Sequence, residues 1–351
     1  MSKRKLPLVL LVLIVVVVGV IVFRPKPIRL NGAGATFPAV LYTRWFAEYQ
    51  KLTGVETNYG SVGSGQGIQS IVNQLTDFGA TDGAMEESTG NGGVILHIPT
   101  ALGAVVPIYN VEGISNETPL KFTPETLCRI YLGEITRWND AALLVDNPQL
   151  GAIDQPITTV SRSDGSGTTN IFTSYLSAVC ATWESSVGFG NSVDWPSPNT
   201  LGGKGNEGVT GSVKQTPFSI GYVELAYAEQ NGLPIGEVQN QAGNFVRATT
   251  ESISLAAEGV QLPDDMRVKI VNAAGADAYP IAGFTWILIY QNQTDQAKGQ
   301  ALVNMLWWAI HDAQSYNAGL GYAPLSQSAV DHAEALLQSI TINGQAVVIS
   351  R

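Results

Sequence analysis

The spacing of apolar residues along the chain alternates between a period of two and a period of about 3.6, the repeats of one strand face and one helix face. Residues 55–59 alternate as a strand, with Val55, Thr57 and Tyr59 on the same face. A helical spacing follows, and residues 78–80 form another short apolar run. The helical face consists of Ile68, Ile71, Val72 and Leu75. This order predicts a strand–helix–strand unit.

End signals mark two further helices. Gly54 follows an apolar helical spacing over residues 41–49 and is placed to end that helix. Thr123 suits an N-cap and Pro124 suits the first helical position, because proline lacks the N–H that would be unpaired there. We therefore predict helices that end at Gly54 and begin at Pro124.

Prolines and polar residues divide the other apolar runs. Two buried strands, residues 94–98 and 104–109, are predicted on either side of Pro99. Residues 284–290 form a third strand, and Thr294 is placed to cap the long helix after it.

A strand over residues 157–161 precedes another helix, and residues 188–211 are rich in Gly, Asn, Ser and Pro. That second stretch is predicted to be a functional loop. The repeated alternation of strand and helix predicts an α/β fold with mostly parallel sheets. A length of 351 residues favours two domains.

The N-terminus differs from the rest of the chain. An apolar run from Leu6 to Phe23 is flanked by Lys and Arg, and its 18 residues would span about 27 Å as a helix. We predict an uncleaved membrane anchor with the body on the extracytoplasmic side, tethered by the short Pro25–Pro27 stretch. The alternative is a cleaved signal peptide.

Charge and composition exclude several classes of function. All 29 acidic residues and 13 of the 19 basic residues follow residue 29, so the body carries a net charge of −16. Such a body disfavours nucleic acid as a partner. The three histidines and two cysteines lack metal-site spacing, and no cofactor is expected.

Three loops join a predicted strand to a predicted helix and combine glycine with serine or threonine. They are residues 30–38, 61–67 and 161–169. The unpaired N–H groups and positive dipole end of a helix N-terminus attract anions, so the loops are candidates for one shared oxyanion site. The alternative is that each loop only caps its helix. Phe37 stands where a dinucleotide-binding loop requires its third glycine, which excludes that motif.

Five motifs occur in the order Gly32-Ala33-Gly34-Ala35-Thr36-Phe37-Pro38, Asp77-Phe78-Gly79-Ala80-Thr81-Asp82, Arg162-Ser163-Asp164-Gly165-Ser166-Gly167-Thr168, Leu201-Gly202-Gly203-Lys204-Gly205-Asn206 and Ile220-Gly221-Tyr222-Val223-Glu224. In this order the chain resembles the phosphate-binding proteins of phosphate-specific ABC transporters. The resemblance covers nearly all of the chain after residue 29. It implies a two-lobed solute-binding fold with a ligand cleft between the lobes.

The resemblance also implies boundaries and ligand residues. Residues 1–27 would be anchor and tether, residues 28–102 with 282–351 one lobe, and residues 103–281 the other. The implied phosphate ligands are Thr36, Phe37, Ser64, Asp82, Arg162, Ser166, Gly167 and Thr168. Asp164 would orient Arg162, and Ser64, Ser166 and Thr168 would also cap helices. No metal ligand and no catalytic residue is implied.

The implied function is to capture inorganic phosphate and deliver it to the permease of an ABC importer, as a monomeric binding body and not as an enzyme. Two alternatives remain: an exported phosphatase-like enzyme, and a binding protein for another tetrahedral oxyanion. An enzyme would need an activated nucleophile or a metal pair, and the sequence offers no motif for either.

The two cysteines are predicted to lie in the same lobe. Cys128 falls on the helix that begins at Pro124, and Cys180 falls at the end of the helix after residues 161–169. In an oxidising compartment the two residues are expected to form a disulfide. The alternative is two separate buried thiols.

Overall fold

The computed structural model describes residues 27–349, and its elements are numbered here in chain order. The strands are β1 Arg29–Gly34, β2 Glu56–Ser61, β3 Phe78–Thr81, β4 Thr89–Gly90, β5 Gly93–Asn110, β6 Lys121–Phe122, β7 Thr158–Arg162, β8 Thr200–Gly203, β9 Ser219–Glu224, β10 Glu237–Gln239, β11 Phe245–Val246, β12 Ala282–Tyr290, β13 Asn292–Gln293, β14 Thr341–Ile342 and β15 Gln345–Ala346. The α-helices are α1 Ala39–Thr53, α2 Ser64–Val72, α3 Pro124–Tyr131, α4 Ala141–Leu144, α5 Gly167–Val179, α6 Ala181–Ser186, α7 Gly205–Gln215, α8 Leu225–Gln230, α9 Thr250–Ala257, α10 Gln296–Ile310 and α11 Gln327–Gln338. Short 3₁₀ turns occur at Pro148–Ala152, Asp312–Tyr316 and Ala318–Leu320.

The predicted anchor, residues 6–23, lies outside the described residues. Within residues 27–349, none of the helices combines the length and the apolar character needed to cross a bilayer.

The main sheet has the strand order β2-β1-β3-β12-β5-β9-β7-β8. The half with β1–β3 is called lobe I here, and the half with β7–β9 is called lobe II. Within each half the neighbouring strands β1–β3 and β7–β9 are parallel. The prediction of mostly parallel sheets is wrong for the centre, because β12 runs antiparallel to both β3 and β5, and β5 runs antiparallel to β9.

Strand β5 joins the two halves. Its residues 95–104 pair with β12, and its residues 105–110 pair with β9. The prediction of two strands separated by Pro99 is wrong, since β5 is continuous. Proline is tolerated there because the β5–β12 register shifts between Thr285 and Trp286, opposite Pro99, and a bulge removes the need for its missing N–H.

Several helix boundaries are confirmed. Helix α1 ends at Gly54, which adopts the left-handed conformation that glycine allows. Thr123 caps α3 by accepting a hydrogen bond from the Thr126 N–H, with Pro124 at the first helical position. Both signals act locally, which explains why they are visible in the sequence.

Three boundaries differ from the prediction. Helix α2 ends at Val72, so Leu75 lies outside it and is exposed. Asp295 caps α10 in place of Thr294, because its carboxylate accepts from two N–H groups of the first turn. Residues 188–211 are not one loop: they contain β8 and the first two turns of α7.

Cys128 and Cys180 form a disulfide, as predicted. The bond joins α3 to the junction of α5 and α6 within lobe II.

Candidate functional site

The candidate site lies where strand ends from the two lobes meet. In lobe I, β1 and β2 lead into the loops before α1 and α2, and β3 ends one residue before Asp82. In lobe II, β7 ends at Arg162, just before α5. The carboxyl ends of parallel strands share one edge of a sheet, so these loops converge on a common cleft.

The lobe I side of the site presents backbone donors. Among residues 27–349, no hydrogen-bond acceptor lies within reach of the N–H groups of Thr36 and Phe37. Their carbonyl groups are held by tyrosines: the Tyr227 hydroxyl donates to Thr36 O at 2.7 Å, and the Tyr322 hydroxyl donates to Phe37 O at 2.6 Å. The peptide groups at the start of α1 are therefore fixed in orientation.

Asp82 is the buried acid of the site, with 3% of its surface exposed. The Thr285 hydroxyl donates to its Oδ1 at 2.9 Å, whereas its Oδ2 has the Ser64 hydroxyl at 3.5 Å. Burial raises the pKa of Asp82 to about 7, although Thr285, the charge of Arg162 and Ser64 act to lower it. Near neutral pH this carboxyl group is poised between proton acceptor and proton donor.

Arg162 supplies the positive charge, and Asp164 compensates it. The guanidinium Nε and Nη2 donate to the two Asp164 oxygens at 2.8 and 2.6 Å, a bidentate pair. Burial acts to raise the pKa of Asp164, but Arg162 and the Gly205 N–H outweigh it, and this pKa lies below its ordinary value. Nη1 is oriented toward Thr168, whose hydroxyl oxygen lies 3.5 Å away.

Asn206, at the start of α7, links the hydroxyl groups of the two lobes. Its N–H and Nδ2 donate to Thr36 Oγ1 at 3.1 and 2.7 Å, and Nδ2 also lies 3.2 Å from Thr168 Oγ1. The Glu224 N–H donates to Asn206 Oδ1 at 2.9 Å and so fixes the orientation of the amide. A hydroxyl oxygen has two lone pairs, so the Thr36 hydroxyl is saturated as an acceptor and its hydrogen remains for another partner.

Ser64 forms a second contact between the lobes. Its Oγ accepts from the Gly167 N–H at 2.9 Å and lies 3.4 Å from the Asp82 N–H. A Cβ atom at Gly167 would lie 2.6 Å from Asp82 Oδ2, so only glycine allows this approach. The lobes also touch where the Gly65 N–H donates to Gly165 O at 2.9 Å.

The cleft continues beyond Asp82 into a cavity of about 630 Å³ between the lobes. Asn170 and Lys269 line it from lobe II, and Met85 and Phe284 line it from lobe I. This cavity gives access to the buried carboxyl group of Asp82, which lines it.

The structure brings all eight predicted ligand residues together around this cleft, with Asp164 directly behind Arg162. The helix-cap roles differ from the prediction. Ser166 does cap α5, accepting from the Thr169 N–H at 3.0 Å, whereas Ser64 and Thr168 lie inside the first turns of their helices. Their hydroxyl groups are turned toward the opposite lobe or toward Arg162, which explains why they do not cap.

Two residues of the site were missed from the sequence. Asn206 ends the motif Leu201–Asn206, but its role depends on the contact between two loops that are distant in sequence. Thr285 had a usable signal, since it is a polar residue near the start of an otherwise apolar strand, β12. Within residues 27–349, no group of three His, Cys, Asp or Glu side chains is placed to hold a metal ion.

A two-lobed α/β architecture with an anion-binding cleft at the lobe junction defines the class of periplasmic-type solute-binding proteins. Residues 24–304 match the PBP superfamily domain. The chain is 41% identical to a protein named phosphate-binding protein PstS from Xylella fastidiosa, over 88% of this chain and 85% of that one. It is 36% identical to a protein of the same name from Methanocaldococcus jannaschii, over 83% and 80% of the two chains. The chain belongs to this family, the PstS proteins of the PBP superfamily.

Solved structures support the same fold. A high-affinity periplasmic phosphate-binding protein solved with phosphate (PfluDING) superposes with a TM-score of 0.72 at 19% identity, covering 88% of this chain and 93% of that one. A phosphate ABC transporter substrate-binding protein from Clostridium perfringens, also solved with phosphate, superposes with a TM-score of 0.61 at 16% identity over 85% and 100% of the chains. At these identities the comparison concerns the fold alone.

Proposed function

We propose that this protein is the extracytoplasmic binding component of a phosphate ABC importer, which captures inorganic phosphate between its lobes and delivers it to a permease. The observation that carries the proposal is a buried site rich in hydrogen-bond donors, in which the buried carboxyl group of Asp82 lines the cleft. The relatives named as phosphate-binding proteins support the same ligand.

Each ligand contact follows from the donor arrangement. The N–H groups of Thr36 and Phe37 and the hydroxyl of Thr36 would bind from lobe I, together with Ser64. Arg162 and Thr168 would bind from lobe II. Ser166, the N-cap of α5, and the Gly167 N–H, once turned from Ser64 Oγ to the ligand, would contribute from the start of α5, where the helix dipole favours an anion.

Asp82 would select phosphate over sulfate. Phosphate keeps at least one proton at neutral pH, which Asp82 Oδ2 can accept, whereas sulfate has none to offer. Above about pH 7, where Asp82 is mostly ionised, two lone-pair groups would then face each other in a buried cleft. Rejection of sulfate by roughly 10⁴-fold is expected there by analogy with other hydrogen-bonding sites.

Calorimetric titration of the full chain with phosphate, arsenate and sulfate tests this function. The wild-type protein should bind phosphate and arsenate but not sulfate, and Asp82→Asn should narrow the phosphate-to-sulfate ratio because its amide can donate to sulfate. Asp331→Asn, on the exposed face of α11, is the matched control and should leave the ratio unchanged. Comparable sulfate binding by the wild type would overturn both the ligand and the role of Asp82.

The same preparation distinguishes the two alternative functions. Turnover of a chromogenic phosphate ester would favour a phosphatase-like enzyme, and saturable phosphate binding without turnover would favour the receptor. Tighter binding of molybdate or tungstate than of phosphate would favour a receptor for another oxyanion.

Attachment and domain limits belong to the same proposal. Residues 1–27 would hold a monomeric body outside the cell, with residues 28–102 and 282–351 in lobe I and residues 103–281 in lobe II. Deletion of residues 1–27 should release the body with unchanged phosphate affinity, because no loop of the site is removed. A membrane-bound form whose sequence begins after residue 23 would contradict the anchor.

A further inference from the structure

One end of lobe I exposes a group of large apolar side chains. Of the seven large apolar residues that are exposed in residues 27–349, four lie at this end. They are Leu52, Leu75, Val94 and Val348. Leu52 and Leu75 are 68% and 72% exposed, far more than side chains of a core. These four residues are called the basal face here.

Strand direction explains why they share one end. Leu52 lies in the last turn of α1, before β2, and Leu75 lies just before β3. Val94 is the second residue of β5, which runs in the same direction as β3 because both are antiparallel to β12. Val348 joins them through its carbonyl, which accepts from Gln300 in the first turns of α10. All four therefore lie at the end of the sheet where β1 begins.

The described chain enters lobe I at this same end. Ile28 precedes β1 and lines a shallow groove of about 390 Å³. Tyr49, Val55, Ala297 and Ala301 line the groove as well, so its lining is largely apolar. The groove lies at the same end of lobe I as the basal face, at the point where the tether begins.

Most charges around the basal face occur as ion pairs, and Asp295, the cap of α10, is an exposed acid beside them. The pairs are Arg29–Glu56 at 2.6 Å, Lys51–Glu48 at 3.0 Å and Lys298–Asp77 at 2.9 Å. Each pair cancels its own charge, whereas the body as a whole is strongly acidic. An anionic lipid surface would therefore repel other parts of the body more than this end.

The length of the tether restricts which surface can approach a membrane. Only residues 24–27 separate the apolar run that ends at Phe23 from Ile28, and two of these four are prolines. Four extended residues span at most about 14 Å. With residues 6–23 in a bilayer, the end of lobe I around Ile28 is held near the lipid headgroups.

We infer that the basal face rests on the lipid bilayer surface, with Leu52 and Leu75 at the boundary between headgroups and acyl chains. This inference depends on the proposed membrane anchor. The ligand loops lie at the opposite ends of the same strands, and β1, with six residues, separates the two ends by about 20 Å. Contact with lipid therefore leaves the interlobe cleft uncovered and free to open.

The test uses the full chain reconstituted in vesicles of phosphatidylcholine with a minor fraction of anionic lipid. A fluorophore is attached to one introduced cysteine, in Leu52→Cys or Leu75→Cys, and quenched by a nitroxide on the lipid headgroup. The native cysteines are bonded to each other and do not compete for the label. Val145→Cys and Leu201→Cys, exposed apolar positions in lobe II, are matched controls.

Labels at Leu52 and Leu75 should be quenched several-fold more than the two control labels. Adding Leu75→Glu to the Leu52→Cys protein, or Leu52→Glu to the Leu75→Cys protein, should reduce the quenching of the label toward the control values while phosphate affinity stays unchanged. Equal quenching at all four positions, in protein that floats with the vesicles, would overturn the inference. Quenching that rises with the density of protein on the vesicles would also overturn it, because that dependence indicates contact between copies. Failure of the chain to float would overturn the anchor itself, and phosphate titration of the same sample reports separately on the proposed ligand.

Discussion

At the scale of single residues, the site depends on hydroxyl groups whose acceptor capacity is already occupied. Thr36 Oγ1 accepts twice from Asn206, and Ser64 Oγ accepts from the N–H groups of Gly167 and Asp82. The Thr36 hydrogen is thereby left for another partner, and the Ser64 hydrogen is directed to Asp82 Oδ2 at 3.5 Å. This arrangement gives donors to an anion without adding positive charge.

Replacement of Asn206 tests this role. Asn206→Ala removes the two bonds to Thr36 and leaves its hydroxyl free to rotate, so phosphate affinity should fall about 10- to 100-fold, equivalent to roughly 1.4–3 kcal/mol. Asn240→Ala is the matched control, because Asn240 is also buried but bonds to the carbonyls of residues 275–278. The control should lose stability and retain affinity, and equal affinity losses in both variants would contradict the assignment.

Asp82 makes the stability of the ligand-free protein depend on pH. Its pKa is about 7 in the folded state and close to 3.8 when unfolded, so the folded state binds the extra proton between these values. Stability from this group is complete below about pH 4 and is lost as the pH rises through about 7. Asp82→Asn cannot titrate and should therefore gain stability relative to wild type over this window, by at most on the order of 4 kcal/mol.

Chemical unfolding of both proteins without phosphate, near pH 4 and near pH 8, measures this difference. If Asp82→Asn changes the free energy of unfolding by the same amount at both pH values, burial does not shift the pKa of Asp82.

The sequence predicted Asp82 as a ligand residue but did not predict a role for Asn206. Asp82 ends a motif that the family resemblance makes visible, but its burial and its bond to Thr285 depend on a strand some two hundred residues later. Asn206 ends a motif of the family resemblance, but no local pattern shows that its amide contacts Thr36. Contacts between loops distant in sequence require the assembled fold.

At the scale of elements, glycine lets helix α2 approach the sheet. A Cβ atom at Gly67 would lie 2.5 Å from Gly34 Cα and 2.6 Å from Ala80 O. Both are backbone atoms that cannot turn aside. The close approach positions the N-terminus of α2, and with it Ser64, over the ends of β1 and β3.

Gly67→Ala should accordingly push α2 outward, lower the free energy of unfolding by about 1–3 kcal/mol and weaken phosphate binding. Gly211→Ala is the control, since Gly211 lies within α7 and a Cβ there has nothing within 4 Å. That substitution should raise stability by about 0.5–1 kcal/mol and leave affinity unchanged. Thermal unfolding with phosphate titration measures both, and a stable, tightly binding Gly67→Ala would refute the packing argument.

The predicted bounds of helices and strands were correct where a residue within one turn determines them. They were wrong where the pairing of distant strands determines them. Gly54 and Thr123 act within one turn, so the ends they mark were correct. The continuity of β5 past Pro99 depends on a register shift in β12, and the strand and helix inside residues 188–211 depend on partners elsewhere. Apolar spacing carries no information about such partners.

At the scale of the whole molecule, the two lobes meet through glycines at the mouth of the site. The Gly65 N–H donates to Gly165 O, and a Cβ at Gly165 would lie 3.0 Å from Gly65 Cα. At this point the lobes are so close that only backbone atoms, and no side chain, fit between them. Closure is therefore sensitive to any side chain added here.

Gly165→Val should hold the lobes apart, because the added branches cannot fit against Gly65. We expect a larger radius of gyration by small-angle scattering and a loss of phosphate affinity of at least about tenfold, with little change in the unfolding midpoint. Gly211→Val, on α7 away from the cleft, should change neither the radius nor the affinity. An unchanged radius for Gly165→Val with phosphate present would show that closure tolerates the bulk.

The two-lobed shape was accessible from the sequence only through the family resemblance. Apolar spacing predicted alternating strands and helices but did not indicate that β5 and β12 are shared across the middle of one sheet. The spacing of apolar residues does not show which distant strands pair with each other.

The ion pair between Arg162 and Asp164 affects how the rate of phosphate capture depends on ionic strength. With this charge cancelled inside the cleft and a net charge of −16 beyond residue 29, the body presents a repulsive field to an approaching anion. Added electrolyte screens that field over about 8 Å at physiological ionic strength, so capture accelerates with salinity instead of slowing. A receptor with a basic cleft would capture phosphate more slowly in brackish water than in fresh, whereas this one would capture it faster.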